Sequence, residues 1–218
     1  MTTDDTPSTM PRWVRKLLIP AAGGGLVGFV AAAGTLRLID SSLVDGLDKS
    51  ATIAALVGML YLLIGLMIMV GIASPQMGAK FLNVEDADEL REQKQVLSVS
   101  GWAMMLWGAA LMVLALAAPG GPVPQAAALA VGLAGLVIGT LLSVKAYRAS
   151  DELMLMVNLE GGALSYGLSF LIIGGWAMAA HLGYCSAPQP LDLLSLFYAL
   201  ALLASFIAVG RRGMLTTR

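Results

Sequence analysis

Residues 51–73 read ATIAALVGMLYLLIGLMIMVGIA, a run without a charged side chain. About 20 mostly apolar residues suffice for an α-helix to cross the roughly 30 Å hydrocarbon core of a bilayer. The run begins after Asp48-Lys49 and stops at Ser74-Pro75, so charge and a helix breaker mark its ends. Working outward, five further runs have the same character: residues 17–39, 96–118, 124–144, 161–182 and 191–209. Asp40-Ser41-Ser42 closes the first of these, Pro119-Gly120-Gly121-Pro122 divides the next two, and Ser186-Ala187-Pro188-Gln189-Pro190 divides the last two. The expected fold class is all-α, a polytopic membrane protein of six spanning helices.

Composition agrees. Of 218 residues, 58% are hydrophobic and 12% charged, with a mean hydropathy of +0.81. Soluble domains carry about 25% charged residues. A soluble fold of this length has too little interior to hide so much apolar surface, whereas a bilayer solvates it. The basic residues form no stripe, so nucleic-acid binding lacks its electrostatic footprint. The single cysteine, Cys185, excludes an internal disulfide and reads as a free thiol. Residues 1–16 are polar and end in Arg12, Arg15 and Lys16, like the start of a signal peptide. The apolar run behind them exceeds the roughly 7–15 residues of a signal h-region, which predicts an uncleaved first helix.

Lys and Arg favour the cytoplasmic side of a membrane. With the N-terminus inside, the inner segments hold Arg12, Arg15, Lys16, Lys80, Arg91, Lys94, Lys145, Arg148, Arg211, Arg212 and Arg218. The outer segments hold only Arg37 and Lys49. Both termini are therefore expected in the cytoplasm: a tail over 1–16, one transmembrane domain over 17–209 and a second tail over 210–218. This pattern suits a cell inner (plasma) membrane. Asn83 and Ser150 are suitable N-caps followed by acidic residues. They predict that the third and fifth helices start in the cytoplasm, the third with a charged stalk over 85–94. Asp88-Glu89-Leu90 and Asp151-Glu152-Leu153 occupy like places between helices and hint at a duplicated hairpin, 51–118 and 124–182.

Small residues at every fourth position share a helix face and let backbones approach. Gly24, Gly28 and Ala32 form one such series; Gly135 and Gly139, continuing to Ser143, form another; Gly161, Ser165 and Ser169 form a third. Helix packing is the expected role of each.

Ionisable groups within membrane segments are the usual marks of function. Arg37 stands near the outer end of the first helix, where snorkelling and a pairing with Asp40 account for it. His181 ends the fifth helix beside Tyr184; one histidine does not make a metal site. Glu160 lies about 15 Å along the fifth helix from Ser150, near the inner headgroup boundary, with Leu164 and Gly167 as helical neighbours. It is expected to anchor there by pairing with one basic residue of another segment, Arg12, Arg15, Lys16, Arg211 or Arg212, the alternative being a proton- or cation-coupling role. Asn158 points roughly 200° away and shares no single-helix site with it. Asp40, Asp45 and Asp48 lack the ligand series of a calcium loop.

No H-E-x-x-H, G-x-S-x-G or Walker A pattern occurs. No catalytic set, metal or cofactor is expected, and an enzyme is disfavoured. The expected partners are the lipid bilayer and a membrane protein or a second copy of the chain, not nucleic acid. The first functional reading is a non-enzymatic accessory, assembly or scaffold component. The alternative is a small-solute or ion transporter built on the repeated hairpin, for which polar groups should converge at mid-membrane.

Overall fold

The computed structural model describes residues 33, 34, 37, 47–74, 93–117, 121–212 and 214, and its ordered elements are all helical. Among the described residues five helices are long and apolar enough to cross a membrane: α1 (Lys49–Ala73), α2 (Lys94–Leu116), α3 (Gln125–Ala149), α4 (Glu152–His181) and α5 (Pro190–Arg211). They coincide with the second to sixth predicted runs. Of residues 17–39 only Ala33, Gly34 and Arg37 are described, all helical. The Gly24–Gly28–Ala32 face lies outside the described residues, as does the stalk up to residue 92.

Local chemistry sets the helix ends. Asp48 caps α1, its carboxylate accepting from the Ala51 N–H at 2.8 Å. A cap of this kind is worth about 1 kcal/mol, and it gives Asp48 a structural role. Ser150 differs from its expected role: it terminates α3, its hydroxyl donating back to the Ala146 carbonyl at 2.9 Å. The N-cap of α4 is Asp151, whose carboxylate accepts from the Met154 N–H at 2.7 Å. Two adjacent cap formers thus divide the work, one closing a helix and the next opening another. At the start of α5, Pro190 occupies the first turn, where its missing N–H costs nothing, and the Gln189 N–H donates to Asp192 at 2.9 Å. The other end of α4 closes on Gly183 at φ 80°. The Tyr184 N–H reaches the Ala179 carbonyl and the Gly183 N–H that of Ala180, a Schellman turn that calls for glycine.

Packing is organised around α1. It contacts both α2 and α5; α3 packs on α2, and α4 packs on α5. The α1–α2 contact depends on missing side chains. A Cβ on Gly58 would stand 2.9 Å from the Gly108 carbonyl oxygen, and one on Gly108 would stand 2.7 Å from that of Gly58. One turn pair further along, a Cβ on Gly65 would lie 2.8 Å from the Gly101 oxygen. Gly58 to Gly65 and Gly101 to Gly108 are both heptad steps, the period of a shallow left-handed crossing. Beside this seam, Ala54, Ala55, Leu111 and Ala115 are fully buried, and Leu191, Leu194 and Tyr198 of α5 close over them.

Helix α3 presents Ala128, Gly132, Gly135, Gly139 and Ala146 to the protein and leaves Leu129, Leu133, Val137 and Leu141 outward. Gly135 abuts Ala110, and Gly139 faces the Trp107 indole at 2.6 Å from a would-be Cβ. The α4–α5 contact is looser. Gly161 is buried, yet its would-be Cβ would meet Ser205 at an ordinary 3.7 Å. Ser165 and Ser169 are only half-buried.

Candidate functional site

Two polar arrangements lie within the helical array. The first joins α4 to the end of α5. Gly161 and Val157 pack inward against α5, which carries the adjacent Glu160 over the last turn of that helix. There Arg212 donates through Nε to Glu160 Oε2 at 3.1 Å, and an Arg211 guanidinium nitrogen stands 3.7 Å from Oε1. Of the five basic residues expected as partners for Glu160, Arg211 and Arg212 both stand beside it; Arg12, Arg15 and Lys16 lie outside the described residues. Glu160 and Arg212 are about 30% exposed, at 28% and 31%, whereas Arg211 remains 62% exposed. One carboxylate facing two guanidiniums leaves a surplus of positive charge. From this cluster a cavity of about 400 Å³ runs along α4 past Leu164 and Gly167 to Leu171. Its walls are apolar, and Gly167 has open space where a side chain would be.

The second arrangement joins α1 to α5 and has no counterpart in the sequence expectations. Tyr61 is buried at the centre of α1, and its hydroxyl donates to the Tyr198 carbonyl at 2.8 Å. The two rings lie 5.1 Å apart at a 60° tilt. A hydroxyl in an apolar span needs a partner, and here the partner is a backbone carbonyl that keeps its place in α5. The available signal was position: Tyr61 is a polar hydroxyl at the midpoint of an otherwise apolar run.

The other predicted site residues do not converge on either arrangement. Asn158 is exposed on another side of α4. His181 ends α4, exposed, beside exposed Tyr184 and Cys185. Trp176 closes this turn by donating from its indole nitrogen to the Ser186 carbonyl at 2.9 Å. Arg37 is helical and exposed, and its expected partner Asp40 lies outside the described residues. Among the described residues no three His, Cys, Asp or Glu side chains gather into a group.

The Tyr61 bond predicts an asymmetry. Tyr61→Phe removes the donor and should lower stability by ~0.5–1.5 kcal/mol, the range of interhelical hydrogen bonds in membranes. Tyr198→Phe keeps the backbone acceptor and should preserve the bond. Reversible unfolding in mixed micelles measures both; equal losses in the two variants would contradict the assignment.

No family model, characterised protein or solved structure matches the chain.

Proposed function

We propose that the protein is a six-span inner-membrane protein with both termini in the cytoplasm, acting as a non-enzymatic assembly or scaffold component. The observation that carries the functional part is the state of α4. Only Val157 and Gly161 of its 30 residues are buried, whereas each of the other four helices buries at least four. The face turned from α5 carries Tyr166 and Phe170, 75% and 69% exposed, with their rings stacked at 6.5 Å. Aromatic side chains are favoured anchors in interfaces, because they bring large area at low entropy cost. Among the described residues α4 packs on α5 alone, and a helix so held, bearing such a pair, is suited to receive another membrane helix.

Charge at the helix ends supports the topology. If each helix crosses once, one set of ends bears Lys94, Lys145, Arg148, Arg211 and Arg212, and the opposite set bears Lys49. The basic set marks the cytoplasmic side. An odd number of spans would place Arg12, Arg15 and Lys16 outside. The transporter reading asks for polar groups free to meet a solute at mid-membrane; the Tyr61 hydroxyl is committed to a carbonyl.

Two measurements test these readings. A reporter active only outside the cytoplasm should be silent when fused after Arg218 and active when inserted after Pro122; the reverse pattern would overturn the topology. A photocrosslinking residue at Phe170 should join a distinct polypeptide, or a second copy, in native membranes. The same residue at Leu141 on the outward face of α3 should capture lipid alone. Crosslinks from Phe170 confined to residues 17–39 of the same chain, or to lipid, would contradict the scaffold reading.

A further inference from the structure

We propose that the groove beginning at Glu160 and Arg211 holds one anionic phospholipid, its phosphate on the Arg211 guanidinium with Arg212 beside it and one acyl chain along α4. Four observations carry this. Charge comes first: among the described residues Glu160 alone faces the two arginines and offsets one of them, and Arg211 is 62% exposed and reaches it only at 3.7 Å. Its remaining N–H donors are available to a phosphate, which arginine recognises with two parallel bonds.

The shape agrees with the charge. The cavity of about 400 Å³ is walled by Leu164, Leu168 and Leu171, with Gly167 leaving open floor. From Glu160 to Leu171 a helix advances roughly 16 Å, about half of the ~30 Å hydrocarbon core. The groove is therefore one leaflet deep with its charged end at the headgroup level, the proportions of a single lipid.

Position is the third. Arg211 closes the spanning helix α5, on the membrane side that also receives the end of α3 with Lys145 and Arg148. Basic pockets at this level bind anionic headgroups. The fourth is separation from the aromatic face: Tyr166 and Phe170 lie about 80–120° round the helix from Glu160. The groove can be filled while that face meets a protein partner. Glu160 has a positioning role here, holding the two arginines side by side, and its own charge favours a singly rather than multiply charged headgroup.

The inference rests on the reading of α4 and α5 as spanning helices, but not on which compartment faces their basic ends. Purified full-length protein in a mild detergent is titrated with phosphatidylglycerol or phosphatidylcholine of matched chains, and adducts are counted by native mass spectrometry. Wild type should retain one phosphatidylglycerol in preference to phosphatidylcholine, with about a fivefold preference per engaged guanidinium. Arg211→Gln should remove most of that preference. Gly167→Leu fills the groove where nothing lies within 4 Å of the new Cβ, so the fold should survive, as judged by monodispersity. It should lower retention of both lipids several-fold. Equal retention of the two lipids by wild type would overturn the proposal, as would unchanged binding in a monodisperse Gly167→Leu variant. Displacement of the adduct by soluble glycerol phosphate would also overturn it, by assigning the arginines to a free phosphate. A reversed reporter pattern would leave these results intact and strike only the topology.

Discussion

Lipid tails are as apolar as leucine, so helices in a bilayer gain nothing simply by hiding from their solvent. They associate where they fit closely, and closeness is limited by side chains. In this protein the limit is lifted at Gly58, Gly65 and Gly108, where a single Cβ would stand within 3 Å of the facing backbone, and Gly101 supplies the backbone oxygen that faces Gly65. The seam brings carbonyl oxygens against glycine Cα–H groups and places Ala54, Ala55, Leu111 and Ala115 in full burial beside it. The remaining helices assemble from this pair: α3 against α2 through its own glycines, and α5 across the alanine end of the seam and under Tyr61.

Packing quality falls off with distance from the seam. Helices α2 and α3 still meet below ordinary contact distance at Gly135 and Gly139, while α4 meets α5 only at ordinary distance around Gly161. The polar contacts follow the same gradient. Tyr61 is held by a buried hydrogen bond between helices, whereas the α4–α5 junction relies on an exposed ion-pair cluster at its end. Exposed ion pairs contribute little, about 0–1 kcal/mol. The helix least fastened to the rest also carries the exposed aromatic pair and the charged groove, so the surfaces suited to binding lie where internal packing is weakest.

Much of the secondary structure was legible, because a span of apolar residues between breakers leaves few alternatives in a bilayer. The starts of α1, α3 and α5 were legible to within a residue or two, and that of α4 through its cap rather than through its apolar run, which begins nine residues later; the expected start of the third helix at Asn83 lies outside the described residues. Ser150 and Asp151 were separable only in three dimensions, since both are good cap formers and one residue decides which helix each serves. That Glu160 needs a cation was legible from cost, since a carboxylate near hydrocarbon is expensive alone; which of five basic residues supplies it was not, because the sequence does not say which helix lies beside α4. The seam was not legible. Small residues spaced by fours suit a steep crossing, whereas the decisive glycines repeat by sevens. Helices that are apolar all round also offer no amphipathic face to announce a neighbour. Thus the adjacency of α1 to α5, and Tyr61 as its link, appear only in the folded chain.

The central claim is that missing side chains at the α1–α2 seam, rather than general hydrophobicity, hold the array together. Glycine-to-alanine substitutions at four positions test it most directly, compared by reversible unfolding in one detergent system. At Gly58 and Gly108 the new methyl would meet a carbonyl oxygen at 2.9 and 2.7 Å, so the helices must part, at a cost of roughly 1–3 kcal/mol. At Gly162 and Gly175 nothing lies within 4 Å, and alanine's better helix propensity should leave stability unchanged or raised by up to ~1 kcal/mol. Losses at Gly58 and Gly108 with none at Gly162 and Gly175 are the predicted result. The same response at all four positions would contradict the account.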